Sequence, residues 1–120
     1  MRRITVEITT AADGSATVFS PRVSGEICSI VYEKVDFADG VDFVVTADAT
    51  SEQIWAENNV NAATSRYPRA ATHTTAGAAA LYASGGVAVL AKPAIANDRL
   101  KVVVAQGGNA KSGKLHFLID

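Results

Sequence analysis

Several features that define other protein classes are rare in this sequence. Cys28 is its only cysteine, which excludes an internal disulfide framework and any zinc site built from several cysteines. The formal net charge is −1, so no bulk basic field favours nucleic acid as a partner. The longest nearly apolar stretch, Gly85–Ala91, is far too short to cross a bilayer. These deficits argue against a disulfide scaffold, a nucleic-acid-binding protein and a membrane protein.

The first residues do not follow the pattern of a secretory leader. Arg2 and Arg3 resemble the start of a signal peptide, but I-T-V-E-I-T-T follows, with an acid and several threonines in place of an apolar run. We therefore expect a protein that is synthesised and folded in a cytoplasm.

The dominant pattern that is present has a period of two residues. Ile4, Val6 and Ile8 alternate with polar residues, as in a strand with one buried face. Residues 51–60 are either another strand or a short helical turn, with Trp55 as a buried anchor. Further strands are predicted from β-branched, aromatic and apolar content at 17–20, 26–34, 42–47, 81–84, 85–90, 98–106 and 114–120.

These segments predict an all-β protein. A chain of 120 residues that is 48% hydrophobic and 19% charged fits one packed domain spanning residues 1–120. Seven or eight short, mainly antiparallel strands indicate a β-sandwich or jelly roll. Asp13-Gly14 predicts a hairpin between the first two strands. Residues 58–80 lack sustained alternation and are expected to form one long loop or arm, and such loops are often functional.

The segment A-Q-G-G-N-A-K-S-G-K-L-H-F raises the possibility of a nucleotide site. From Gly108 it matches the phosphate-binding pattern G-x-x-x-x-G-K-[ST] except at the last position, which is Leu115. A phosphate loop must also open a helix, whereas the residues after it alternate like a strand. We therefore predict a hairpin turn between the last two strands, in which Gly107, Gly108 and Gly113 supply backbone freedom, and Lys111 and Lys114 keep the turn solvated.

No other motif predicts catalysis or metal binding. Asp36, Asp39 and Asp42 lack the denser spacing of a calcium loop. His73 and His116 are isolated in the sequence, and no G-x-S-x-G elbow marks a nucleophile. The sequence thus predicts a protein that is not an enzyme, with no catalytic residues, no cofactor and no metal.

Charge is unevenly distributed along the chain. Residues 33–57 contain seven acids and one base, and residues 92–114 contain five bases and one acid. This asymmetry is either ordinary surface variation or head-to-tail complementarity between copies in a cyclic oligomer. The motif R-Y-P-R at 66–69 combines arginine and tyrosine, residue types enriched at interface hot spots. The alternative is that this motif forms a self-contained loop held together by Tyr67 and contacts no partner.

Several stretches together resemble a known protein group. They are A-T-V-F-S-P-R-V-S-G, F-A-D-G-V-D-F-V-V-T, I-W-A-E-N-N-V-N-A, R-Y-P-R-A-A-T-H and D-R-L-K-V-V-V-A-Q-G-G-N-A-K-S-G. In this order they resemble small proteins encoded among the head-morphogenesis genes of tailed bacteriophages and prophages. The resemblance covers nearly the whole chain, and its last stretch is the most specific.

The resemblance implies a virion structural protein on the surface of the phage head. Its expected role is that of a capsid cement or decoration protein that binds the major capsid protein and itself, as a homotrimer or alternatively a dimer, with no nucleic acid and no membrane as partner. Candidate contact residues are chosen by type and position: Arg2, Arg3, Arg66, Tyr67 and Arg69.

Two alternatives remain open at this point. One is a head–tail joining or tail-completion protein, present in few copies per particle. The other is a carbohydrate- or host-binding β-sandwich, in which Trp55, Tyr67 and Tyr82 would provide aromatic platforms.

Overall fold

A computed structural model describes residues 1–120, and it confirms the all-β prediction: the chain contains no helix. Eleven strands are present, more than the seven or eight expected, because four strands of only two to five residues were not recognisable. In chain order they are β1 (Arg2–Thr9), β2 (Ala16–Phe19), β3 (Val23–Lys34), β4 (Val41–Ala47), β5 (Gln53–Val60), β6 (Thr64–Arg66), β7 (Ala70–Ala71), β8 (Leu90–Ala91), β9 (Ala94–Asp98), β10 (Leu100–Ala105) and β11 (Ser112–Ile119).

Two antiparallel sheets form the body of the protein. The first sheet has the order β1-β11-β3-β6, and β9 also pairs with β3; the second has the order β2-β10-β4-β5. Strands β7 and β8 form a separate two-stranded sheet. This arrangement agrees with the predicted sandwich.

The sandwich core follows from the alternation in the sequence. Along β11 every second residue is buried, and along β4 the same period continues from Val41 to Ala47. Trp55 is buried, as expected of an anchor, and its ring stacks on Phe43 with the centroids 5.4 Å apart. The inward residues of both sheets therefore share one hydrophobic core.

Both predicted hairpins are wrong. The Asp13-Gly14 turn leads from β1 in the first sheet to β2 in the second, and residues 106–111 lead from β10 in the second sheet to β11 in the first. A tight turn reverses the chain, but it does not decide whether the next strand pairs with its predecessor or crosses to the opposite sheet. Crossing lets the apolar faces of both strands meet in the core. The connection between β4 and β5 does form a hairpin.

The two glycines of the 106–111 connection and Gly113, at the start of β11, have different roles from those predicted. Only Gly108 has a positive φ, of 93°, that favours glycine. A Cβ on Gly107 would lie 2.8 Å from Cγ2 of Thr10, and one on Gly113 would lie 2.4 Å from the Phe37 ring. The amide of Gly107 also donates to Gly14 O at 2.9 Å. Two of the three glycines therefore allow close packing between connections rather than backbone freedom.

Tyr32 provides a test of the core. Its side chain is 1% exposed and its hydroxyl has no hydrogen-bond partner. Burial, with a smaller contribution from Asp39, raises the pKa of Tyr32 to about 12. In the unfolded chain the pKa is about 10. Below about pH 10 the hydroxyl is protonated in both states, and the free energy of unfolding does not depend on it. As pH rises from about 10 to about 12 the free energy of unfolding falls, because the unfolded chain releases the Tyr32 proton while the folded chain keeps it.

We expect Tyr32→Phe to match or exceed the wild type in stability near neutral pH, since it removes an unsatisfied buried hydroxyl. Between pH 10 and 12 the variant should gain up to about 3 kcal/mol relative to the wild type, because two pKa units correspond to a difference of that order. Urea unfolding at a series of pH values measures both effects. A constant difference between the two proteins across that range would contradict the assignment.

Candidate interaction arm

A long segment projects from one edge of the first sheet. Strand β6 pairs with Ile30–Tyr32 of β3, and β9 pairs with Val23–Glu26 of the same strand. The chain leaves the body after β6 and returns at β9, so the segment emerges between them. We call residues 67–93 the arm. The predicted loop at 58–80 was misplaced, because residues 58–66 largely belong to β5 and β6.

The arm has its own hydrogen-bonded structure. Its base is the pairing of β7 with β8, where Ala70 faces Ala91. Beyond the base, Thr72 N donates to Val89 O at 2.8 Å, Val89 N to Ala80 O at 2.9 Å, and Ala80 N to Thr72 O at 2.8 Å. These three bonds form a closed ring, from which two short hairpin-like tips extend. The strands predicted at 81–84 and 85–90 are not formed: Leu81 and Ala88 make only an isolated bridge, and of these residues only Leu90 belongs to a strand, β8.

The arm makes the molecule elongated. The chain measures 49 × 29 × 23 Å along its principal axes, with a radius of gyration of 15.5 Å. A compact domain of this length has a radius of gyration of about 14 Å. Strands β7 and β8 pair with each other and with no strand of the body. The arm therefore stands clear of the sandwich.

The surface of the arm is unusual in its lack of charge. The 22 residues from Ala70 to Ala91 include no Asp, Glu, Lys or Arg, although the chain as a whole is 19% charged. Large apolar or aromatic side chains are nevertheless exposed, among them Tyr82 at 76% and Val87 at 75%. Five of the chain's eight exposed large hydrophobic residues lie between residues 67 and 90. A concentration of exposed apolar residues is typical of interaction surfaces.

The three predicted contact residues near the arm have separate environments. Arg66 forms two hydrogen bonds with Glu57, at 2.7 and 2.9 Å, and thereby joins β6 of the first sheet to β5 of the second. The same hydrogen bonds hold the pKa of Glu57 below its usual value. Arg69 donates to Cys28 O at 3.1 Å and so anchors the start of the arm to β3. Tyr67, at 65% exposure, and Arg69 are both exposed to solvent.

The other two predicted contact residues lie on a different surface. Arg2 and Arg3 are exposed at the start of β1, which pairs only with β11 and forms the opposite edge of the first sheet from the arm. Neither arginine forms an ion pair within the chain. The five predicted residues thus belong to two surfaces on opposite edges of the same sheet.

The charge asymmetry of the sequence is partly compensated within the chain. Because β10 lies beside β4, Arg99 reaches Asp48 at 2.6 Å, and because β11 lies beside β3, Lys114 approaches Glu33 at 3.8 Å. Segments of opposite charge in the sequence are therefore neighbours in the sheets. Fewer charges remain for head-to-tail attraction between copies.

The remaining polar candidates do not assemble into a common site. His116 accepts or donates a hydrogen bond with Thr5 at 2.9 Å on the outer face of the first sheet, whereas His73 is exposed in the arm. No three His, Cys, Asp or Glu side chains are grouped so that they could hold a metal ion. None of the elements is a helix long and apolar enough to span a membrane.

Comparison with protein-family models, curated proteins and solved structures found no match. The resemblance to phage head-module proteins therefore stays a prediction. The arm is the feature that the sequence located only in part, since the predicted loop at 58–80 covers residues 67–80 of it. Its signal was nevertheless present, since the absence of all four charged residue types over 22 positions can be read from the sequence.

Proposed function

We propose that the chain is a structural protein of the virion of a tailed bacteriophage. Its role would be that of a capsid decoration protein, which binds the major capsid protein on the outer surface of the head and stabilises contacts between capsid subunits. The chain would act as a homotrimer, with a dimer as the alternative.

The observation that carries this proposal is the arm. A pre-ordered projection with exposed Tyr82 and Val87 and no charged residue between Ala70 and Ala91 suits lasting contact between proteins. A sandwich body with a projecting arm can contact more than one neighbour at once, which is what a decoration protein requires. The resemblance of residues 98–113 to phage head-module proteins supplies the setting.

The carbohydrate-binding alternative loses support from the geometry. Trp55 is buried in the core and stacks on Phe43, so it is not available as a platform for a sugar ring. Tyr67 and Tyr82 are exposed, but a binding platform needs several aromatic groups facing one ligand.

The number and position of copies in purified particles test the proposal directly. We expect hundreds of copies per particle by quantitative mass spectrometry, and density for the sandwich on the outer head surface in a reconstruction. About a dozen copies or fewer, located at the portal vertex, would support head–tail joining instead. Absence of the chain from the particles would overturn the proposal.

The edge of β1 is the surface that we assign to the capsid. We expect Arg2→Glu combined with Arg3→Glu to weaken binding to undecorated heads about tenfold or more, because two exposed cations become anions. The matched control is Lys101→Glu combined with Lys111→Glu, which makes the same change of charge away from the Arg2–Arg3 end of β1, since Lys101 is on β10 and Lys111 is hydrogen-bonded to Thr10 beyond the other end of β1. Co-sedimentation with heads measures both, with circular dichroism as the check of folding. Equal losses in the two variants would contradict a specific role for the β1 edge.

A further inference from the structure

We propose that the arm of each copy binds the arms of other copies of this chain, so that the oligomer is held together at its arms. This inference rests on the proposed function, since it names the partner of the arm in that assembly. The capsid would then be contacted by the body of the protein and not by the arm.

Symmetry explains why the lack of charge favours self-association. At a rotation axis of a closed oligomer a surface meets a copy of itself, so any net charge there meets like charge. The 22 residues Ala70–Ala91 carry no Asp, Glu, Lys or Arg, and this surface can face itself without repulsion and without burying an unpaired ion. The body surfaces do not have this property, since charged side chains occur on both edges of the first sheet, including Arg3 and Arg66.

The size and composition of the arm also fit an interface between copies. A protein interface of standard size uses about 20–30 residues from each partner, and the uncharged stretch Ala70–Ala91 of the arm supplies 22. Tyr82 and Val87 provide large exposed groups that can fill pockets on a neighbour. Thirteen of the 22 residues are Ala, Gly or Ser, which lets backbones approach closely.

The arm is ordered before it binds. The ring of hydrogen bonds among Thr72, Ala80 and Val89 fixes both tips relative to the base, and Arg69 fixes the base to Cys28 O of β3. Less conformational entropy is therefore lost on association than a disordered loop would lose.

The first experiment compares two valine-to-lysine variants of the full chain. Val87 lies in the arm and is 75% exposed, whereas Val35 lies on the body and is 56% exposed. Analytical ultracentrifugation should find the wild type at two or three times the chain mass of 12.5 kDa. Val87→Lys should raise the dissociation constant about thirtyfold or more, and Val35→Lys should leave it unchanged. A monomeric wild type, or equal effects of the two variants, would overturn the proposal.

The second experiment separates contact between arms from contact between an arm and a body. Val87→Lys and Val87→Glu should each associate weakly alone, whereas an equal mixture at low ionic strength should recover mixed oligomers, because opposite charges then meet at the arms. An arm that binds a neighbour's body would give no such recovery, which would overturn the proposal. The oligomeric state in solution can be measured without the virion, so the two proposals can fail separately. Oligomers that are held by their arms but are missing from particles would refute only the proposed function. Monomers that are found in particles would refute only this inference.

Discussion

Replacing Phe43 by alanine is expected to lower the free energy of unfolding by about 3–5 kcal/mol, the range for a fully buried phenylalanine. Phe43 has no exposed surface and is at the centre of the aromatic cluster. Its ring centroid lies 4.9 Å from that of Tyr32, 5.4 Å from that of Trp55 and 6.2 Å from that of Phe37. Truncation removes the ring on which the other three pack and leaves a cavity between the sheets.

The loss would be a large fraction of the total stability, since single domains are stable by about 5–15 kcal/mol. Trp55 is the only tryptophan and stacks on Phe43, so urea unfolding can be followed by its fluorescence, with circular dichroism as an independent probe. The matched control is Phe19→Ala, because Phe19 lies on the outer face of the second sheet and is 41% exposed. It should cost about 1 kcal/mol, mainly through its contact with the Arg99 guanidinium. Equal losses would mean that the aromatic cluster does not dominate the core.

The main strands of this fold could be predicted because their signal is local. In β11 and β4 the alternation of apolar and polar residues directly reports which side chains face the core. Trp55 was recognisable as an anchor for the same reason, since a large apolar residue within a strand-like segment is most stable when buried.

The pairing of the strands could not be predicted because its causes are not local. The turn at Asp13-Gly14 is compatible with a hairpin and with a crossing between sheets, and the choice depends on which apolar faces meet in the core. The short strands β6 and β9 exist because the edge of β3 offers them backbone partners. Neither has enough alternation of its own to be found from the sequence.

The candidate site shows the same division between local and distant causes. Arg66 has the residue type of an interface hot spot. Its guanidinium is nevertheless already paired with the carboxylate of Glu57, which lies across the edge of the sandwich. A substitution at Arg66 would therefore disturb folding as well as any partner. The sequence located the arm only in part, because a segment rich in alanine, glycine and threonine shows neither the periodicity of a strand nor that of a helix. Its relevant property is an absence of charge, which becomes informative only once Tyr82 and Val87 are known to be exposed.

Gly113→Ala is the second substitution with a large expected effect, about 1–3 kcal/mol of lost stability from overpacking. The added Cβ would lie 2.4 Å from Cε2 and 2.6 Å from Cδ2 of Phe37, closer than packed carbon atoms can approach. The ring has little room to move, because it is 2% exposed and has Tyr32 and Phe43 as neighbours, each with its centroid 6.2 Å away.

A double-mutant cycle with Phe37→Leu isolates this contact. Leucine lacks the ring atoms that the new Cβ would meet, so Gly113→Ala should cost less in the Phe37→Leu background, with a coupling of about 1 kcal/mol or more by urea unfolding. Gly40→Ala is the control for backbone strain, since Gly40 has a φ of 88° but no atom closer than 3.5 Å to its added Cβ. Its cost should be unchanged by Phe37→Leu. Equal costs of Gly113→Ala in both backgrounds would show that Phe37 is not the cause. The expected coupling would mean that the glycine which gives this segment its likeness to a phosphate loop is there to admit an aromatic ring.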